Sequence, residues 1–184
     1  TGNPILFSPI LKGQPKSINN LLILGGSLGA KKINQTIPHI KTPLHIWHQT
    51  GEIHLEEVKA LYKNTMHSEL KIEPFIENMA EAYAWADLVI CRAGAMTISE
   101  LIASNSIAIL IPFPYAIDNH QKFNAEILSK NQAGILLEET NLNFKAIDKE
   151  IELLSKERLY EMSKRLESLK VSNPEKLIAD HLLH

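Results

Sequence analysis

Short apolar runs alternate with stretches of helical spacing from residue 21 to residue 139, and this alternation constrains the fold more than any other feature of the chain. The runs are LLIL (21–24), LHIWHQ (44–49), KIEPFI (71–76), DLVICRA (87–93), IAILIPF (107–113) and GILLEE (134–139). Between them lie AKKINQTIPHI (30–40), ended by Pro38, then 52–66, NMAEAYAWA (78–86) capped by Asn78, GAMTISELIAS (94–104) and 118–131. Further helical stretches are predicted at 143–155, 158–170 and 174–183. Strands that are apolar along their whole length are buried on both faces. Alternation with helices makes the sheet parallel. The predicted class is therefore α/β, a Rossmann-like doubly wound parallel sheet of about six strands.

Composition narrows what such a domain can do. The 184 residues suit one domain, and 45% apolar with 22% charged residues is ordinary for a globular one. A formal net charge of −2, from 19 basic and 21 acidic residues, offers no basic patch for nucleic acid or an anionic membrane surface. The single cysteine, Cys91, excludes an internal disulfide and favours a cytoplasmic setting. The longest apolar runs fall well short of the roughly 20 residues needed to span a bilayer. Residues 1–20 hold three prolines and two glycines and read as a linker, leaving 21–184 as the domain. The first residues, TGNPILFSPI, lack a Met and read as chain interior, so a piece of a longer protein is expected.

In a doubly wound sheet, ligands sit beyond the carboxyl ends of the strands, near the switch point. Four strand-to-helix turns there carry unusual text. GGSLGA (25–30) has the chemistry of a phosphate cradle. Gly25 and Gly26 allow close approach, Ser27 adds a hydroxyl, and a helix start follows. It also reads as a tight turn with no ligand. It is neither G-x-G-x-x-G nor a P-loop, since Ser27 stands at a required glycine and no G-K-[ST] follows. CRAGAMTISE (91–100) opens a helix with small residues. Its first turn, Ala95, Met96 and Thr97, can present N–H groups to a phosphate or sugar, and Glu100 can accept from a ribose diol. The bland alternative is a capped helix start with a solvated glutamate.

PFPYAIDNHQKFN (112–124) gathers Asp118, Asn119, His120, Gln121 and Asn124, side chains that both donate and accept and so suit sugar hydroxyls. Asp118 equally reads as a helix cap. No partner acid identifies His120 as a base, so a hydrogen-bonding or structural role is preferred for it. In EPFIENM (73–79), Phe75 and Ile76 could form a flat slot for a base, or simply pack in the core. Cys91 is expected to be a buried small hydrophobe. His45 and His48 face opposite sides of a strand and cannot share a metal, and no other spacing suggests a metal site. The stripes Phe144, Ile147, Ile151, Leu154 and Leu159, Met162, Leu166, Leu169 are helix core faces.

Taken in order, LLILGGSLGAKKINQTIP, IWHQTG, PFIENMAEAYAWADLVICRAGAMTISELIA and IPFPYAIDNHQKFNAEIL resemble the C-terminal domain of the MurG glycosyltransferases, across roughly residues 1–170. The resemblance implies the C-terminal half of a GT-B enzyme, with 1–20 as its interdomain segment. It implies an inverting transfer of N-acetylglucosamine from UDP-N-acetylglucosamine to lipid I, forming lipid II in peptidoglycan synthesis. No cofactor and no metal are implied. The acceptor and the membrane contact belong to the N-terminal half, which places the full enzyme on the inner face of the plasma membrane. By the same resemblance, Gly25, Gly26 and Ser27 contact the pyrophosphate and the Ile76 backbone reads the uracil edge. Ala95, Met96 and Thr97 line the phosphate and sugar, Glu100 holds the ribose, and Gln121 and Asn124 bond the sugar. No catalytic residue is implied in this half. Leu6 stands where an arginine is usual, so another basic group is expected at the diphosphate, or affinity is lower. Leu28 stands where glutamine is common.

Two other readings stay open at this stage. A standalone sugar-nucleotide module acting with a separate partner chain would look the same in sequence. A nicotinamide-dependent oxidoreductase predicts G-x-G-x-x-G and an acid after the second strand, where His48-Gln49-Thr50 stands instead.

Overall fold

The structure, a computed structural model, describes residues 9–10, 13, 16–26, 30–63, 65–67, 69–115 and 119–171. Its strands are β1 (Asn20–Leu24), β2 (His45–Gln49), β3 (Leu70–Glu73), β4 (Leu88–Cys91), β5 (Ala108–Leu110) and β6 (Ile135–Leu136). Its helices are α1 (Lys31–Thr36), α2 (Leu55–Tyr62), α3 (Met79–Trp85), α4 (Ala95–Ser104), α5 (His120–Lys130), α6 (Phe144–Glu152) and α7 (Lys156–Val171). All strands pair in parallel, in the order β3-β2-β1-β4-β5-β6. The direction of winding reverses between β1 and β4, and this is the switch point. The predicted α/β class and six-stranded parallel sheet are what the structure shows.

Burial explains why the sheet is covered on both sides. Leu21, Leu22 and Ile23 are consecutive and all fully buried, as are Leu88, Val89 and Ile90, and Ala108, Ile109 and Leu110. Adjacent strand residues point to opposite faces, so neither face of the central strands meets water. The edge strand β3 departs from this. Leu70 and Lys71 are exposed and Glu73 half-buried, and charge on an open edge discourages further strand pairing. The stripes of α6 and α7 pack as expected, with Ile147, Ile151, Leu154, Leu159, Met162, Leu166 and Leu169 buried and Phe144 against the core.

Caps and ties set the ends of the elements. The Asn78 side chain accepts from Glu81 N at 3.1 Å, the predicted cap of α3. Asn105 takes a left-handed conformation (φ 53°) that ends α4, and its Nδ2 reaches Ser163 Oγ on α7 at 2.9 Å. Asp148 on α6 accepts from Lys41 N and Thr42 N at 2.9 and 3.0 Å, clasping the lead into β2.

Several boundaries differ from the sequence reading. The run 134–139 forms only the two-residue β6. Ile111 N donates to β4 and Leu110 O accepts from Leu137 N, so Pro112 is next in line to donate toward β6. It has no N–H, and the ladder ends. The predicted helix 52–66 splits into a 3₁₀ turn, Glu52–His54, and the shorter α2. Pro38 does not stop the helical path. It sits at the start of a 3₁₀ turn, Ile37–His39, where its missing N–H costs nothing. The predicted helix 174–183 and the predicted cap Asp118 lie outside the described residues. No helix among the described residues is long and apolar enough to cross a membrane.

Candidate functional site

The four turns singled out in the sequence all leave the carboxyl edge of the sheet. Leu24 lies in register with Gln49 on one side and Cys91 on the other, and Cys91 with Leu110, so the strands end together. Gly25 N extends the pairing by donating to Gln49 O at 3.1 Å. Gly26 then turns with φ +73°, and a side chain there would meet nothing within 4 Å. Its glycine is demanded by backbone conformation and not by crowding. Ser27 falls outside the described residues. The chain re-enters at Ala30, and α1 starts with Lys31 and Lys32, without a side-chain cap.

The second turn places Ala95 and Thr97 half-buried and Met96 exposed on the first turn of α4. Ser99 is turned back onto the helix, donating to Ala95 O. Glu100 is half-buried and accepts from the hydroxyl of the fully buried Tyr83 at 3.0 Å. Burial raises the Glu100 carboxyl above its ordinary range, and the Tyr83 hydrogen bond opposes that rise. Cys91 is fully buried, and burial pushes its thiol up, as expected of an inert core cysteine.

The third turn holds Gln121 half-buried at the start of α5, its Oε1 accepting from Phe113 N at 2.9 Å. His120 beside it is exposed. Asn124 is only 5% exposed, and its Nδ2 donates to Ala93 O at 3.0 Å. Its amide nitrogen is thus engaged in joining α5 to the turn after β4. The fourth turn separates the apolar pair: Phe75 is 59% exposed, whereas Ile76 is 1% exposed. The slot of two side chains is therefore corrected. The Ile76 side chain belongs to the core, and only its backbone and the Phe75 ring are available to a ligand.

At the switch point the first three of these turns border an open cleft of about 580 Å³, lined among others by Lys31, Lys32, Gln35, Arg92, Gln121 and Glu139. Only Gln121 of these was singled out from sequence. Arg92 and Glu139 form an ion pair with side chains 17% and 19% exposed. Lys31 and Lys32 bring positive charge that no carboxylate in the first turn of α1 offsets. They are basic groups at the cleft, and Leu6 lies outside the described residues.

A buried relay holds α1 against the sheet. Asn34 Nδ2 donates to Thr50 O at 2.9 Å, leaving its Oδ1 to accept from His48 Nε2 at 3.0 Å. His48 Nδ1 then accepts from the Tyr62 hydroxyl at 2.9 Å. This order fixes the Nε2–H tautomer. Full burial pushes the imidazole pKa down to about 3, so His48 is neutral. His45, by contrast, faces Glu69 at the surface, on the opposite side of the strand as predicted. No group of three or more His, Cys, Asp or Glu among the described residues could hold a metal ion.

A parallel sheet in this order, with an open cleft at its switch point, defines the class: a doubly wound α/β domain of Rossmann type. Residues 20–182 match the glycosyltransferase family 28 C-terminal domain. The chain belongs to that family.

A UDP-N-acetylglucosamine–N-acetylmuramyl-(pentapeptide) pyrophosphoryl-undecaprenol N-acetylglucosamine transferase of Vesicomyosocius okutanii is 48% identical over 183 residues, covering 100% of this chain and 53% of that protein. The protein of the same name from Cellvibrio japonicus is 52% identical over 129 residues, covering 67% of this chain and 35% of that protein. In three dimensions the chain is similar to Acinetobacter baumannii MurG, with a TM-score of 0.78 and 35% identity over 91% of this chain and 50% of that one. The chain spans about half the length of the first of these relatives.

Proposed function

We propose that this chain is the donor-binding half of an inverting GT-B hexosyltransferase that moves N-acetylglucosamine from UDP-N-acetylglucosamine to lipid I, forming lipid II. The observation that carries this reading is the convergence of all four turns on one carboxyl edge, in a chain 48% identical along its whole length to a relative bearing that name. Lipid I and the membrane surface are contacted by an N-terminal half, so the full enzyme is cytoplasmic and peripheral on the inner face of the membrane. Residues 1–20 are the segment that joins the halves. No cofactor takes part.

In this reading the pyrophosphate lies on Gly25, Gly26 and Ser27, with Lys31 and Lys32 supplying positive charge. The backbone of Ile76 meets the uracil edge, and the Glu100 carboxylate accepts from the ribose hydroxyls. Ala95, Met96 and Thr97 present backbone N–H groups to the phosphate and sugar. Gln121 bonds the sugar hydroxyls, and Asn124 fixes the turn beside them. As the acceptor hydroxyl attacks the anomeric carbon, the bond to UDP breaks and negative charge grows on the diphosphate. Preorganised N–H groups and lysines stabilise that charge without reorganising. The general base lies outside this chain.

Calorimetric titration of the chain with UDP-N-acetylglucosamine, UDP-glucose and NADH tests the reading. Selective binding of UDP-N-acetylglucosamine is expected. Preference for NADH, or equal indifference to all three, overturns the assignment of the site.

A further inference from the structure

The Arg92 guanidinium is engaged within the chain through both Nη1 and Nη2, although it lies in the cleft. It pairs with Glu139, just after β6, and donates Nη1 to Ile111 O at 3.2 Å and Pro112 O at 3.4 Å, just after β5. It also lies over the Phe113 ring, 5.3 Å from the centroid. The strap it holds is the one that orients Gln121, because Phe113 N donates to Gln121 Oε1 at 2.9 Å. An N–H can be accepted only by the amide oxygen. The Gln121 Nε2 group is therefore the end left to meet a ligand, and Gln121 faces the cleft as a donor.

We infer that the Arg92–Glu139 pair is a positioning clamp that sets Gln121 as a hydrogen-bond donor to the sugar of a nucleotide-sugar, and so governs discrimination of the sugar and not of the nucleotide. The inference rests on the donor-site reading proposed above. Geometry supports a clamp over a simple strut. One planar guanidinium joins the ends of three neighbouring strands, with its fork shared between a carboxylate and two consecutive carbonyls. A lysine at position 92 keeps the charge and can still meet Glu139. It cannot also hold both carbonyls of the strap.

The test compares affinities for UDP and for UDP-N-acetylglucosamine in the wild-type chain, Arg92→Lys, Glu139→Gln, Gln121→Ala and Arg92→Lys/Gln121→Ala, with thermal unfolding as the check on folding. Arg92→Lys and Glu139→Gln are expected to leave UDP affinity unchanged and to weaken UDP-N-acetylglucosamine about three- to tenfold, the value of one hydrogen bond. In the Gln121→Ala background, Arg92→Lys is expected to cost nothing more. Equal losses for both ligands, or additive losses in the double variant, overturn the clamp. A wild-type chain that binds both ligands equally overturns the sugar role of Gln121, and the clamp with it. A wild-type chain that binds neither overturns the donor-site reading itself. Should Arg92→Lys fail to fold, Glu139→Gln alone decides.

Discussion

Glu100 sits under two opposing influences. Burial favours its neutral form, and the Tyr83 hydroxyl favours its charge. In the proposed site only the carboxylate accepts from a ribose diol, so UDP affinity is expected to fall on acidification at a higher pH than for an exposed glutamate. Tyr83→Phe removes the stabilising hydrogen bond. The acid limb of the affinity profile should then move to still higher pH, and affinity at neutral pH should fall by about 0.5–1.5 kcal/mol. Calorimetry across pH checks both. Glu100→Gln and Ser27→Ala are each expected to weaken UDP by about 1–3 kcal/mol if they remove a buried hydrogen bond. Unchanged affinity in both would contradict the residue assignments and leave the fold standing. Gly26 obeys a different constraint. With φ +73° and open space around it, Gly26→Ala should cost about 1 kcal/mol of stability through backbone strain alone, read by urea denaturation.

Among the elements, α1 depends most on tertiary support. Its six residues are too few to be stable alone, and no side chain caps its start. The relay Thr50–Asn34–His48–Tyr62 supplies that support from β2 and α2. Tyr62→Phe leaves the buried Nδ1 of His48 without its donor and should cost about 1–3 kcal/mol. The relay also has a pH signature. The folded-state pKa of His48, about 3, lies below the unfolded value of 6.5, so the unfolded chain binds more protons between the two. Its stabilising contribution is complete above about pH 6.5 and is lost as pH falls toward 3, at about 1.4 kcal/mol per pH unit from this residue. Burial depresses His67 as well, which steepens the loss. Urea midpoints that stay level from pH 7 to pH 5 would contradict this.

For the molecule as a whole, the alternation of apolar runs with helical spacing was sufficient to read the sheet, because strands buried on both faces carry no competing polar pattern. The placement of a site beyond the carboxyl edge followed from that topology. The rest was hidden for physical reasons. His48 looks like any strand histidine until α1 and α2 fold over it. Arg92 and Glu139 lie 47 positions apart in sequence and meet only once the sheet brings the ends of β4 and β6 together. Ile76 could not be told from its neighbour Phe75 without knowing which of the two turns inward.

In the proposed site the donor binds across the switch point, on the turns after β1, β3, β4 and β5. The most direct test of that placement is a titration of the isotopically labelled chain with UDP-N-acetylglucosamine, followed through backbone amide resonances. Shifts are expected at Gly25–Gly26, Ile76, Ala95–Thr97 and the start of α5, with the amino-terminal edge of the sheet unmoved. Shifts centred on that opposite edge or on α6 and α7, or none at saturating ligand, would contradict that placement.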